Sequence, residues 1–469
     1  MSSLTQASTA PLALDVSGAS DAPRALAVGT TAAAMLAGVV YALSPLTVVL
    51  AFVSAGLIWW ACLDVRGRER QWVIALLEGA VLIRVATIGT IALTADPQRA
   101  SFRSIYGDGQ YALERSLWLR NALLGIPIAP LDLAEAFHPY GRSIYYYPLA
   151  WIQVVFGPAP YALHLTSLVW YFAGAIALYR VVRSSYGRAT AFVGLTLILW
   201  LPSLLLWSMT PLKESLYFSM SSLAVVSTAR MVRARRWTTA VGAAVFTVLA
   251  VAVAATLRTG GLAITLGGLA GGLLIAAIFT RRRLALAAMV CVSIAAAIAL
   301  RQHTVQETIL DQIRRGAGAH VGFVMTPGSN YRLLGFEFYN RSRYPDSLSR
   351  GETIRYAGAA VRDFVLVPKP WAPNTRNDIA MVPQQLIWYA IVIFSVPGLV
   401  AGLRRDALVT GLLFATALVG AAAIAPASGN VGTLIRHRDM IVPFLVWIGV
   451  LGAIVTAGWC ANLTRKEGE

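Results

Sequence analysis

"SIYYYPLAWIQVVFG", residues 143–157, decides how the rest of the chain is threaded. The stretch is apolar enough to suggest a membrane helix, yet a hydrocarbon core needs about 20 helical residues. Residues 143–157 fall short of that, and Pro148 interrupts them. We read a short interfacial or re-entrant helix whose tyrosines lie at headgroup level. Counted as a span, it would invert the sidedness of everything after it.

Working outward, about twelve apolar runs are long enough to cross: 26–43, 45–64, 72–94, 161–180, 189–207, 213–230, 238–256, 261–279, 284–300, 384–403, 407–426 and 439–459. Alternation of period two is absent, which argues against a transmembrane barrel. Composition agrees, at 57% hydrophobic, 13% charged and a mean hydropathy of +0.65. That lies well outside the range of soluble globular domains. The expected fold is all-α, a polytopic membrane protein of about twelve transmembrane helices with two long extracytoplasmic segments.

The net charge of +17 would suggest nucleic acid in a soluble protein. Here the arginines cluster in short connections, so no nucleic-acid partner is implied. "VRGRER" (65–70), "YRVVRSSYGR" (179–188), "RMVRARRW" (230–237), "RRR" (281–283), "LRRD" (403–406) and the tail "TRKEGE" are all basic. With twelve spans they share one face, which the positive-inside rule makes the cytoplasm. Both termini are then cytoplasmic, in an inner (plasma) membrane. Segments 95–160 and 301–383 fall outside, with short turns near 208–212, 257–260 and 427–438.

The expected divisions are a disordered cytoplasmic tail (1–24), an N-terminal hairpin (25–64), a core (65–300) containing the outer loop 95–160, the outer region 301–383, and C-terminal helices (384–469). The tail lacks the basic start of a secretory signal. Region 301–383 reads as short helices and loops forming a lid. Cys62, Cys291 and Cys460 lie in or beside apolar runs without ligand spacing and read as thiols.

Outside the spans a few charged residues need explaining. In "IYGDGQYALERSLWLRNALLG" (105–125), Asp108 lies in a glycine-flanked turn, with Glu114 on a short amphipathic stretch. A partly desolvated carboxylate there suits a general base. The alternative is a solvated acid paired with Arg103 or Arg115. Lys213 and Glu214 open a helix in "WSMTPLKESLYF" (207–218). Glutamate in a first turn suits the helix dipole, whereas lysine does not and invites an anion. Arg258, and Arg436 with Arg438 in "IRHRD" (435–439), break the positive-inside pattern at the outer helix ends. Lipid headgroups or a bound phosphate would explain them. Two residues apart on extended backbone, Arg436 and Arg438 would point to one side. Within the spans Glu78 and Arg84 stand out, and a buried charge there is a functional hypothesis. The five histidines, His138 among them, map to the outer face without metal-ligand spacing.

The order of these features resembles the GT-C superfamily of polyprenyl-phosphate-sugar-dependent glycosyltransferases over about residues 80–230. The motifs are the arginine-containing "VLIRVATIGTIAL" (81–93), Asp108 with Tyr111, the "YPPL"-like "YYPLAWIQVVFG" (146–157), Arg180 to Gly187, and Glu214 in "LKESLYF". In this chain a single acid, Asp108, is followed by Gly109, and tyrosine replaces the first proline of "YPPL". The resemblance implies an inverting membrane glycosyltransferase acting on the extracytoplasmic face. It implies sugar transfer from a polyprenyl-phosphate donor to a glycan or lipid acceptor of the cell envelope. Asp108 and Glu214 would be the catalytic acids, with Asp108 the base. Lys213, Arg258, Arg436 and Arg438 would hold the lipid phosphate, and Tyr111, Tyr146 and His138 would line the substrate site. No cofactor is required; a divalent metal is compatible with an acidic outer loop, but no ligand spacing supports one. An O-antigen-type polymerase or ligase using lipid-diphosphate glycans, and a lipid-linked oligosaccharide flippase, are the alternatives. A flippase would place its polar residues near mid-membrane and show repeats, neither of which the sequence has.

Overall fold

The computed structural model describes residues 44–94, 107–138, 143–258, 260–280, 301–326, 329–335, 338–339, 348–373 and 376–467, and a few isolated positions elsewhere. Among these, regular structure is helical apart from one antiparallel bridge between Asn330 and Asn430. The chain opens with α1 (Pro45–Ala61) and α2 (Gly67–Thr94), then three shorter helices, α3 (Gly107–Leu123), α4 (Pro130–Phe137) and α5 (Tyr146–Phe156). The central bundle follows as α6 (Pro160–Tyr186), α7 (Arg188–Trp200), α8 (Pro202–Ser208), α9 (Lys213–Arg233), α10 (Trp237–Leu257) and α11 (Gly261–Thr280). The rest is α12 (His303–Val324), α13 (Arg350–Leu366), α14 (Arg376–Arg405), α15 (Ala407–Ile424), α16 (Val431–Arg438) and α17 (Val442–Glu467).

Among the described residues seven helices, α2, α6, α10, α11, α14, α15 and α17, are long and apolar enough to cross a membrane. The pair α7–α8, bent by 65°, makes an eighth if read as one span. Eight of the twelve expected runs are thereby accounted for; the other four lie outside the described residues or fall short by length or composition. Runs 26–43 and 284–300 lie almost wholly outside the described residues. Run 45–64 forms the 17-residue α1, short for a span. Run 213–230 forms the 21-residue α9, which is too polar to qualify by composition. Its serines (Ser215, Ser219, Ser221, Ser222 and Ser227) are nevertheless buried, because α6 and α10 pack against it. An enclosed helix needs no apolar face for lipid.

The stretch at 143–157 does form a short helix, the 11-residue α5, about 16 Å long and unable to cross. Region 301–383 is more regular than expected. Its described part holds the 22-residue α12 and the 17-residue α13, both amphipathic and too polar to span. Each packs on the 3₁₀ turn Ala425–Ala427 that follows α15.

The bend between α7 and α8 has a local cause. Pro202 has no N–H, so the Ile198 carbonyl loses its helical donor. Tyr171 Oη donates to that oxygen instead, at 2.7 Å. Ser203 N turns to Gln384 Oε1 (2.9 Å), which frees the Leu199 carbonyl, and Arg84 Nη2 takes it at 2.8 Å. Arg84 also donates to Ser208 Oγ (2.8 Å) and the Ala80 carbonyl (2.9 Å). The buried arginine thus satisfies a broken helix, whereas Glu78 lies on the exposed side of α2. Elsewhere small residues allow close helix contact, as Gly268 and Gly272 of α11 do against Thr416 and Leu412 of α15.

The basic connections meet at one end of the bundle. Arg180 pairs with Asp64 at 2.6 Å, Arg183 grips Glu69 through two bonds (2.7 and 3.0 Å), Arg233 pairs with Asp406, and Arg405 reaches the Tyr186 carbonyl. Because α9 runs from Lys213 to Arg233, its other end belongs to the candidate site.

Candidate functional site

At the Lys213 end, charged groups from four separate stretches converge. Asp108 sits in the first turn of α3, not in a free turn as expected, and forms an ion pair with Arg436 of α16. Arg436 Nη2 lies 3.5 Å from Glu214 Oε1 at the start of α9. One guanidinium therefore spans two carboxylates. The Asp108 side chain remains 64% exposed while that of Glu214 is 3% exposed, so the pair has one replaceable and one fixed acid. Lys213 feels Glu214, Arg258, Arg436 and Asp108 as its charged neighbours. It makes no hydrogen bond or ion pair among the described residues. Arg258, in the link between α10 and α11, reaches the Met440 sulfur at 2.9 Å and adds a third cation. Lys213, Arg258 and Arg436 thus face Asp108 and Glu214, leaving positive charge in excess.

Beside this cluster opens a cavity of about 430 Å³, within the size range of ligand clefts. Its walls come from α8 (Pro202, Ser203, Trp207), the end of α12 (Phe323) and the face of α16 that carries Arg436. The largely exposed Asp108 and the buried Asp439 also line it. The bend at Pro202 makes this space, by turning α8 away from the line of α7.

Tyr111 and Tyr146 pack edge to face, with ring centroids 6.3 Å apart. Arg115 lies over both rings and donates to the Tyr111 hydroxyl and to the Ala136 and His138 carbonyls. It therefore ties α3 to the end of α4 and does not pair with Asp108. Arg103 lies outside the described residues. Burial raises the Tyr146 hydroxyl, with Arg115 opposing; Tyr111, Asp108 and Glu214 raise it further, which places this ring pair beside the acids. The His138 side chain is exposed, and its carbonyl is what joins the network.

Arg438 does not join the cluster. Residues 431–438 are helical, not extended, so positions two apart point to opposite sides. Arg438 is buried, donating to Gln385 Oε1 (2.7 Å) and to the Phe364 and Val367 carbonyls (2.6 Å each). It fastens the end of α13 to α14 and α16. The intervening His437 accepts or donates at Ser428 Oγ, 2.7 Å away. Burial, with Arg258, Arg436 and Lys213 nearby, holds its imidazole well below the usual value and neutral.

Helical spacing instead brings Asp439, three residues after Arg436, to the cavity. Ser203 Oγ donates to Asp439 Oδ1 at 2.8 Å, and Gln384 Nε2 donates to Ser203 Oγ at 2.5 Å. Burial lifts the Asp439 carboxyl to about 7, against the opposing effects of Ser203 and Arg438. Sequence reasoning passed over this acid; an i, i+3 reading of "RHRD" would have found it. Among the described residues no three His, Cys, Asp or Glu side chains converge as a metal-ligand set.

The segment after α12 holds α16 in place. Val431 N donates to the Ser329 carbonyl (2.8 Å), Tyr331 Oη to the Ser428 carbonyl (2.7 Å), and Asn430 Nδ2 to Asn330 Oδ1 (2.9 Å). A side chain at Gly429 would collide with the His320 carbonyl, so glycine is required there for the approach. No known family model matches the chain, and no curated protein or solved structure gives a significant match.

Proposed function

We propose that the chain is a membrane glycosyltransferase that moves a sugar from a polyprenyl-phosphate donor to a cell-envelope acceptor. The observation that carries this reading is Arg436, which lines a cavity together with Asp108, spanning Asp108 and Glu214, with Lys213 and Arg258 as further cations beside that cluster. A phosphate arriving there would replace the exposed Asp108 on Arg436, because guanidinium grips phosphate through paired hydrogen bonds. Asp108, released, becomes the base: it takes the acceptor hydroxyl proton as that oxygen bonds to the anomeric carbon. The bond from that carbon to the phosphate oxygen breaks, and the lipid phosphate leaves with its charge held by Arg436, Lys213 and Arg258. Glu214 keeps Arg436 oriented throughout. The proposal includes the twelve-span arrangement, cytoplasmic termini, and a site at the outer face of the inner membrane. In support, the basic connections around Arg180, Arg183 and Arg233 gather at the end opposite the site.

The test compares lipid-linked and surface glycans of cells with and without the protein. Accumulation of a lipid-phosphate monosaccharide is expected. A lipid-diphosphate repeat unit accumulating instead would replace this reading with a polymerase or ligase, and unchanged glycans would end both.

A further inference from the structure

The end of the bundle opposite the site holds a larger cavity, of about 650 Å³, where the ends of α1, α6 and α9 meet the start of α10. Its lining includes Trp60, Asp64, Arg180, Arg183, Arg230 and Arg233. The length of α9, 21 residues, separates it from Lys213 by roughly 30 Å. We propose that this cavity is a second anion site, which binds a phosphate group presented at that face of the membrane. It is independent of the glycosyltransferase reading.

Three of the four guanidinium groups are already oriented by acids. Arg180 pairs with Asp64 and lies 5.5 Å from the Trp60 ring centroid, Arg183 is held bidentately by Glu69, and Arg233 pairs with Asp406. These pairings fix the walls without filling the cavity. Arg230 is different: it is exposed, and it makes no hydrogen bond or ion pair among the described residues. It stands one turn before Arg233 on the same face of α9, and the Arg233 side chain is itself 43% exposed. Four guanidinium groups against Asp64, Glu69 and Asp406 leave one positive charge, and it resides on Arg230. Two planar forks side by side in a concave site suit the oxygens of a phosphate mono- or diester. The remaining wall is apolar, with Ala177, Val181, Val226 and Ala229, as the glycerol and upper chain of a phospholipid would require. A general attraction of basic loops for anionic lipid explains neither the concavity nor why, among the described residues, one of its four lining arginines is left without an acid.

The experiment measures retention of phosphatidylglycerol against phosphatidylcholine by the full-length protein in mixed micelles, using native mass spectrometry. One tightly held phosphatidylglycerol is expected, with little phosphatidylcholine. Arg230→Gln removes no contact of the fold and should weaken retention about tenfold or more. Arg66→Gln with Arg68→Gln removes twice the charge from exposed positions of the same end and should change it less than twofold. Diffuse attraction predicts the reverse, about fivefold per arginine removed wherever it lies. Equal losses in the two sets, or equal retention of both lipids, would overturn the site. Inorganic phosphate in the millimolar range then separates the sources: displacement of the lipid shows that a free anion also serves, and its failure assigns the site to a lipid headgroup.

Discussion

Arg436 and Arg438 are two residues apart, and the same substitution should damage the protein in two different ways. Arg438 holds three acceptors: Gln385 Oε1 at 2.7 Å and the Phe364 and Val367 carbonyls at 2.6 Å. Its guanidinium also lies 5.0 Å from the Trp388 ring centroid and 5.6 Å from that of Phe364. Lysine would keep the charge, but a point ammonium cannot reach acceptors that a planar fork spans. Losing two charge-assisted bonds to buried partners costs about 1.5–3 kcal/mol each, or about 3–6 kcal/mol together. That is a large share of the roughly 5–15 kcal/mol that stabilises a typical protein. Arg438→Lys should therefore lower the unfolding temperature in micelles and reduce membrane abundance. The folded fraction should bind donor normally. Arg436→Lys should do the opposite, because its partners are carboxylates and its side chain is 25% exposed. We expect near-native unfolding and at least about tenfold weaker use of a polyprenyl-phosphate sugar, since lysine loses the paired grip on phosphate. Thermal unfolding and turnover per folded molecule separate the two. An Arg438→Lys protein of native stability that has lost donor use would show that Arg438 faces the ligand and that the orientation of α16 is wrong.

Asp108→Asn should leave abundance normal and cut turnover about 10²-fold or more; near-native turnover would move the base to another carboxyl, with Asp439 the first to test. Asp439 gives a pH dependence whose sign is set by its raised pKa. A carboxyl at about 7 when folded and 3.8 when unfolded favours the folded state below about pH 4, and that stability is lost as pH rises through 7. By pH 8 the loss is of order 4 kcal/mol. Asp439→Asn keeps the acceptor for Ser203, so it should match the native protein near pH 4 and exceed its unfolding temperature at pH 8; parallel pH profiles would refute the assignment. Reporter fusions after residues 186, 234 and 405 should read cytoplasmic, and those near 130, 320 and 430 external. An external signal at 186 would place 143–157 across the membrane.

Much of this arrangement is legible before folding, because charge in an apolar chain is confined by solvation. Asp108, Lys213, Glu214, Arg258 and Arg436 stand out as charges at helix ends, and the structure brings all five to one end of the bundle. The expectation for Arg438 differs from the structure because "IRHRD" carries no signal that separates an extended strand from a turn of helix, and the two put opposite residues together. Asp439 is inconspicuous in the sequence for the same reason, since only a helix sets it beside Arg436. Helix α9 was recognised as part of the bundle, but its serines become intelligible only once α6 and α10 enclose them. The sequence suggests only short helices and loops where α12 and α13 stand, because their apolar faces are interrupted and meet a partner, Ala425–Ala427, far downstream.

Arg84 shows why a buried charge in a span is not by itself a site. Its Nε, Nη1 and Nη2 all have acceptors, and those acceptors are two carbonyls and a hydroxyl rather than carboxylates. Backbone carbonyls such as those of Leu199 and Ala80 cannot leave, so an arginine bound to them has no role in exchange. Arg438 is of the same kind, closing the Phe364 and Val367 carbonyls at the end of α13. Arg436 differs in the chemistry of its partners: Asp108 is an anion on a largely exposed side chain, and another anion can take its place. The first two arginines hold the bent helix and α13 around the cavity, and the third lines it while paired with an exchangeable acid. The test for a binding cation in this chain is therefore neither its depth nor its charge, but whether what it holds can be displaced.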